Sequence, residues 1–284
     1  MIYKELEKIV LDSKRKGNSE IYIRNLLKEY LQIYVLNYIY TNKEYNKNLI
    51  FTGGTCLRHF YNLPRLSEDL DFDYNREFNS KNLLDNLLGY FQSKYQYTDM
   101  SPALKQDGKQ ILLKFPILRS LNLTQGNESE MLYIKIDLKP NPSDTYKTEI
   151  SSKSMSGFNF VALHYDLSTL MAGKILAILT RKQLIGKDNR ETVKGRDYFD
   201  LLWYLKQEIM PNIERISAVL NEKITMGDLK ERLDNKVTIL MSNYKNDFKS
   251  DLLPLIENQD FIPIYIDNYM EEYNRSIKYF KKYI

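Results

Sequence analysis

Asp69, Asp71 and Asp73 alternate with Leu70 and Phe72 in the stretch EDLDFDY, residues 68 to 74. In an extended strand this alternation puts the three carboxylates on one face, with about 6.6 Å between alternate Cα atoms. Like charges so placed repel. They are tolerated where the strand end is solvated, or where a divalent cation neutralises them through carboxylate oxygens. An isolated Asp-x-Asp leaves both readings open. The residues ahead of it bear on the choice: FTGGT, 51 to 55, sets Gly53 and Gly54 between a short apolar strand and a helical stretch. There the backbone can approach a phosphate and helix N-terminal N–H groups can receive it, although a plain tight turn would use the same glycines. Thr55 lies fourteen positions before Asp69. One strand-helix-strand unit would therefore join a phosphate cradle to an acidic metal site.

A second constellation lies in AGKILAILTRKQLIGKDNRETVKGRDYFDLLWYL, residues 172 to 205. Lys174 and Arg181 fall on one expected helix, and Arg196, Asp197 and Asp200 open another. Lys174 can neutralise triphosphate oxygens as a point charge, while Arg196 offers a planar fork for phosphate or for a structural carboxylate. Asp197 could orient Arg196 or Lys174. Helix capping and ordinary ion pairing would equally account for the acids, Asp200 above all. A third acid, Asp137, ends the alternating run YIKIDL, where it is either a site residue or an ordinary strand-end aspartate.

The elements needed to position these groups are legible in outline. Apolar spacing predicts helices over 3–16 and 19–41, then a strand over 49–54 ending on the glycines, a short helix from Thr55, and the acidic strand from Asp69. Residues 83–97 read as helical, and strands are expected over 109–118, 131–138, 148–155 and 158–165. From Asp166, a candidate N-cap, the pattern turns helical to the end. The expected fold is α+β: an α/β core with a mixed β-sheet over 1–165, followed by a mainly helical region over 166–284. Trp203, Tyr198, Phe199 and Tyr204 follow helical spacing and read as core. His59 and Cys56 read as packing residues.

Composition excludes several classes. With 284 residues and 43% apolar content the chain can bury a sizeable core. The 41 basic and 37 acidic side chains leave a formal charge of +4, which permits an RNA substrate without requiring one. One cysteine and two histidines, His59 and His164, cannot build a thiolate or imidazole zinc cage, so any metal should be a hard, oxygen-bound one. No apolar run approaches the roughly 20 residues of a membrane span, and the expected location is cytoplasmic.

The segment GGTCLRHFYNLPRLSEDLDF resembles the first motif of the AbiEii/AbiGii-type, MenT-like nucleotidyltransferase toxins of the polymerase-β-like superfamily. That motif is a glycine turn, a short helix, then Arg-x-Ser-x-Asp-Leu-Asp-Phe, matched by Arg65, Ser67, Asp69, Leu70, Asp71 and Phe72. The Lys-Ile-x-Ala…Arg helix and the Arg-Asp-x-x-Asp-Leu segment continue the resemblance, which runs from about residue 45 to 207. It implies a catalytic set of Asp69, Asp71, Asp137, Lys174 and Asp197. It also implies metal ligation by Asp69, Asp71 and Asp137, and NTP or phosphate binding by Gly53, Gly54, Thr55, Arg65, Ser67, Lys174, Arg181 and Arg196. Asp73 has no counterpart in the motif. The implied activity is Mg²⁺-dependent (or Mn²⁺-dependent) transfer of NMP from NTP to an RNA acceptor, a tRNA 3′ end, blocking translation. The implied setting is a toxin–antitoxin pair, with the antitoxin protein encoded adjacently and a use in phage defence. A protein side chain or small molecule as acceptor, and a non-catalytic binding module, are the alternatives.

Overall fold

The computed structural model describes residues 2–181, 183–185 and 189–283. The chain forms two compact units: Met1–Asn141 with Thr148–His164, and Pro142–Lys147 with Tyr165–Ile284.

The first unit opens with helices α1 (Ile2–Arg15) and α2 (Glu20–Thr41), followed by β1 (Leu49–Thr52), α3 (Gly53–Phe60), β2 (Asp69–Tyr74) and α4 (Ser80–Tyr95). Strands β3 (Ser101–Lys105), β4 (Gln110–Pro116), β5 (Met131–Pro140), β6 (Thr148–Met155) and β7 (Phe158–Tyr165) complete it. The seven strands make one sheet in the order β3-β4-β5-β2-β1-β7-β6. It is mixed, as the sequence predicts: β2 runs parallel to β5 and β1 to β7, while β1–β2, β3–β4 and β4–β5 are antiparallel. The strand β3 was not expected. It lies at the sheet edge, where Pro102 costs no ladder bond and exposed side chains hide the alternation.

Burial follows the pleat. Ile111, Leu113 and Phe115 of β4 and Leu132, Ile134, Ile136 and Leu138 of β5 point into the core. Helix α2 is buried around most of its surface, with Leu27, Leu31, Val35 and Ile39 inaccessible to solvent. Each such side chain contributes roughly 1.5–3 kcal/mol. Ser19 caps α2 by accepting from the Tyr22 N–H. The helix also carries polar groups inward: the Gln32 side-chain amide donates to the Glu68 carbonyl at 2.8 Å and to the Ser67 carbonyl at 3.3 Å, and Lys28 pairs with Glu68 at 3.1 Å. These bonds fix the approach to β2.

The second unit is mainly helical: α5 (Leu167–Thr180), α6 (Gly195–Lys206), α7 (Ile213–Leu220), α8 (Met226–Asn243), α9 (Lys245–Leu252), α10 (Phe261–Asp267) and α11 (Tyr269–Ser276), then a closing 3₁₀ segment, Ile277–Tyr283. Asp166 caps α5 as expected, its carboxylate accepting from the Thr169 N–H at 2.8 Å. Between α5 and α6 stands an unforeseen hairpin of β8 (Gln183–Ile185) and β9 (Arg190–Thr192). Lys182, Gly186, Lys187 and Asp188 of the second constellation, and the terminal Ile284, lie outside the described residues. Gly195 starts α6 because a Cβ there would stand 2.6 Å from the Phe248 Cα of α9. Tyr198, Phe199 and Tyr204 are core, as their spacing indicates.

Candidate active site

The glycine turn is built around Asp71. Helix α3 begins at Gly53, whose φ of +77° is a left-handed conformation that side chains oppose. A Cβ on Gly53 would also lie 2.9 Å from the Asp71 Cγ, so the carboxylate sits directly against the start of α3. Thr52, the residue preceding the helix, makes no side-chain capping bond to the first-turn amides. Gly54 is held close by Arg65 and Ser67: a Cβ there would meet Arg65 Nη2 at 2.9 Å and Ser67 Oγ at 3.0 Å. Arg65 is 2% exposed and donates to the Leu66 carbonyl at 2.8 Å, and Ser67 is likewise buried. The Thr55 hydroxyl, also buried, donates to the Asp69 carbonyl. Thr55, Arg65 and Ser67 therefore shape the turn from within. Gly53 and Gly54 are the members of the expected cradle whose backbone forms the first turn of α3.

Strand register separates the three alternating aspartates. On β5, Asp69 lies opposite Lys135, Asp71 opposite Asp137, and Asp73 opposite Lys139. The Lys135 ammonium is 3.7 Å from the Asp69 carboxylate. Asp71 alone faces another acid. The same row continues to Thr52 on β1 and to Gln110 on β4, whose side-chain amide donates to Asp137 Oδ1 at 2.8 Å. Asp73 is 9% exposed and deeper in the sheet than Asp69 or Asp71.

Among the described residues, no group of three or more His, Cys, Asp or Glu side chains is gathered to hold a metal ion. The donor chemistry nevertheless fits a hard divalent cation. Mg²⁺ is commonly bound by one or two carboxylates together with water and substrate phosphates rather than by a complete protein cage. Adjacent Asp71 and Asp137, with Asp69 one pleat away, supply oxygen donors of that kind.

Neighbouring reactive groups are disabled. Burial, followed by the charges of Glu149 and Asp71, pushes the Cys56 thiol well above its ordinary pKa, which leaves no thiolate nucleophile. Burial, then Lys153 and Arg58, lowers His59 to about 3, and Lys153 donates to the His59 carbonyl at 2.8 Å.

In the second unit Lys174 is shared by two acids, 2.9 Å from Asp197 and 2.7 Å from Asp200. Asp197 also pairs with Arg181, the residue that follows α5. Burial alone would raise the Asp197 pKa, but Lys174 and Arg181 outweigh it and hold the carboxyl below its ordinary value. Of the two partners that sequence reading left open for Asp197, the bonded one is Lys174. Arg196 turns to Asp251 instead, with its Nε 3.8 Å from the carboxylate and its backbone N–H donating at 2.9 Å. Asp200 is fully buried, in keeping with a structural role.

Gln110, Gln32, Lys135 and Asp251 were not foreseen. Each acts through strand register or a long-range contact that one sequence does not display.

The sequence matches the family described as "Nucleotidyl transferase AbiEii toxin, Type IV TA system" over residues 35–276. The chain belongs to this family. The match reaches well past the motif-bearing stretch, taking in part of α2 and most of the helices after α6. Among solved structures, MenT4, a nucleotidyltransferase toxin from Mycobacterium tuberculosis, aligns at 15% identity with a TM-score of 0.62, covering 98% of this chain and 89% of that one. At that identity the likeness concerns the fold, which is that of a nucleotidyltransferase toxin. JHP933 from Helicobacter pylori aligns at 16% identity and TM-score 0.44, covering 89% of this chain and 93% of that one. No curated protein matches the sequence. As a member of an AbiEii family assigned to type IV toxin–antitoxin systems, the chain is a nucleotidyltransferase toxin whose partner is an antitoxin. Among the described residues no helix is long and apolar enough to cross a membrane.

Proposed function

We propose that the chain transfers a nucleoside monophosphate from an NTP to an RNA acceptor, a tRNA 3′ end, releasing pyrophosphate and blocking translation. The transfer is Mg²⁺-dependent, with Mn²⁺ as a substitute, and the setting is the cytoplasm of a bacterium that encodes the antitoxin alongside and uses the pair in phage defence. The observation that carries this reading is the parallel register of Asp71 beside Asp137, directly against the uncapped start of α3 at Gly53.

Asp69, Asp71 and Asp137 are the residues that would hold the cation. When bound, it would neutralise charge on the phosphates and polarise the phosphorus under attack. The first-turn amides at Gly53 and Gly54 would receive phosphate oxygens. Asp137 keeps Oδ1 on Gln110, which orients the carboxylate so that Oδ2 can take the proton from the acceptor hydroxyl. Thr55, Arg65 and Ser67 position the turn. In the second unit, Lys174, Arg181 and Arg196 are assigned to anion recognition, and Asp197 to holding Lys174 and Arg181 in place. Arg181, whose side chain is 40% exposed against 13% for Lys174, is the more available cation.

The test incubates the protein with each α-labelled NTP, Mg²⁺ and total tRNA, beside Asp69→Ala/Asp71→Ala. Labelled tRNA formed only by the wild type is the expected result. Equal labelling by both proteins would remove the acidic pair from the chemistry, and labelling of protein or a small molecule alone would replace RNA as acceptor.

A further inference from the structure

The seven-stranded sheet ends in two edges of different character. At one, β3 is five residues long, interrupted by Pro102 and closed by Lys105, devices that discourage pairing with another chain. At the other, β6 runs for eight residues, Thr148–Met155, without proline. No strand of the sheet lies beyond it, and among the described residues none of its backbone groups bonds outside the sheet. Its two charged side chains are turned toward α3: Glu149 Oε2 accepts from the Tyr61 hydroxyl at 2.7 Å, and Lys153 Nζ donates to the His59 carbonyl at 2.8 Å. The opposite face of the β6–β7 hairpin is uncharged, with Ile150 73% and Val161 54% exposed.

Strand register decides which backbone groups face outward. Ser156 and Gly157, with φ of 53° and 78°, make a two-residue turn between β6 and β7, so Met155 and Phe158 pair through hydrogen bonds. The Ser154 hydroxyl meets Asn159 at 3.2 Å and the Asp166 N–H donates to the Lys147 carbonyl at 3.1 Å, both in that register. Odd-numbered residues of β6 therefore bond to β7, while Thr148, Ile150, Ser152 and Ser154 turn their N–H and C=O groups to the open side. Laid antiparallel against a second β6, with Ser151 opposite Ser151, the strand sets Ile150 opposite Ser152 and Thr148 opposite Ser154 as hydrogen-bonded pairs. The same alignment sets Glu149 of each copy opposite Lys153 of the other, at the closer, non-hydrogen-bonded positions. The strand is thus complementary in charge to itself about a twofold axis, and Ile150 and Val161 of both copies join in one apolar strip.

We propose that β6 is a self-pairing edge, through which two copies of the chain associate about a twofold axis with their sheets continuous. The proposal stands apart from the transfer reading: β2, which carries Asp69 and Asp71, lies three strands in from this edge and is left clear.

Sedimentation equilibrium of the full chain over about 1–100 µM tests it, since a strand-pairing interface at the small end of the size range corresponds to micromolar affinity. The mass should rise with concentration from 33.8 kDa toward twice that value. Ile150→Lys, at an exposed position that leaves the core intact, should keep the chain monomeric throughout. Glu149→Lys and Lys153→Glu should each do the same, because like charges then meet across the axis. Mixing those two variants should restore a dimer, as each chain then meets the opposite charge at both positions. A general loss of structure would not be rescued in this way. A wild type that stays monomeric at about 100 µM would leave the edge to a strand of another protein and overturn the proposal. So would a dimer retained in Ile150→Lys, or Glu149→Lys and Lys153→Glu chains that stay apart when mixed.

Discussion

The two acidic clusters of this toxin solve the same electrostatic problem in opposite ways. In the second unit, Asp197 and Asp200 are buried, but Lys174 lies between them and Arg181 closes on Asp197. That cluster carries its own cations. In the first unit, Asp69 and Asp71 are half-buried in the first half of β2, Asp71 faces Asp137 across the parallel ladder, and Asp69 pairs with the partly exposed Lys135 ammonium at 3.7 Å. The cluster of the second unit is balanced from within. The cluster of the first unit concentrates carboxylate oxygens beside a glycine turn, donors that would suit a divalent cation.

If the contrast is right, substitutions in the two clusters should fail differently. Lys174→Met should cost stability as well as transfer, lowering stability by about 3–5 kcal/mol, because two buried carboxylates lose their shared ammonium. Adding Asp200→Asn should restore part of that loss, and urea denaturation of both variants reads the difference. Gly53→Ala should act chiefly on turnover. Its Cβ would displace the Asp71 carboxylate and oppose the positive φ, so transfer should fall by about a hundredfold with a stability loss of about 1–3 kcal/mol.

The first loss of stability on acidification should come from neither cluster. His59 is buried with its folded pKa lowered to about 3, so from about pH 6.5 downward the unfolded chain takes up a proton that the folded chain refuses. Stability should fall with acid by up to about 1.4 kcal/mol per pH unit from this group, and His59→Gln should flatten that limb of a urea-midpoint profile. Asp197, whose pKa is depressed, adds a loss only below the ordinary carboxylate range. The smallest effect is expected at Gln110→Ala. Removing the amide that orients Asp137 should slow transfer about tenfold and cost about 1 kcal/mol, with nucleotide binding unchanged.

Much of this was legible in the sequence because it is local. The alternation of EDLDFDY, the glycines of FTGGT, the Asp166 cap and the helical spacing after it each depend on residues a few positions apart. What escaped depends on pairing. The register that sets Asp71 against Asp137, but Asp69 and Asp73 against lysines, arises between strands more than fifty residues apart. Gln110 meets Asp137 across 27 positions, and Gln32 and Lys28 of α2 reach the Ser67–Glu68 backbone and side chain across 35 to 40. The motif places Thr55, Arg65 and Ser67 beside the turn, and what the sequence did not display is that all three are buried there. The β8–β9 hairpin was hidden by its length, since each strand has only three residues, too few for an alternation to show.

The central claim is that Asp71 and Asp137 form one cation-dependent centre, and Mn²⁺ titration followed by electron paramagnetic resonance tests it most directly in the presence of a non-hydrolysable NTP analogue. The account predicts a Mn²⁺ site in the wild type that Asp71→Asn and Asp137→Asn each weaken by about tenfold or more, while Asp197→Asn leaves it in place. Mn²⁺ affinity unchanged by both Asp71→Asn and Asp137→Asn would contradict it.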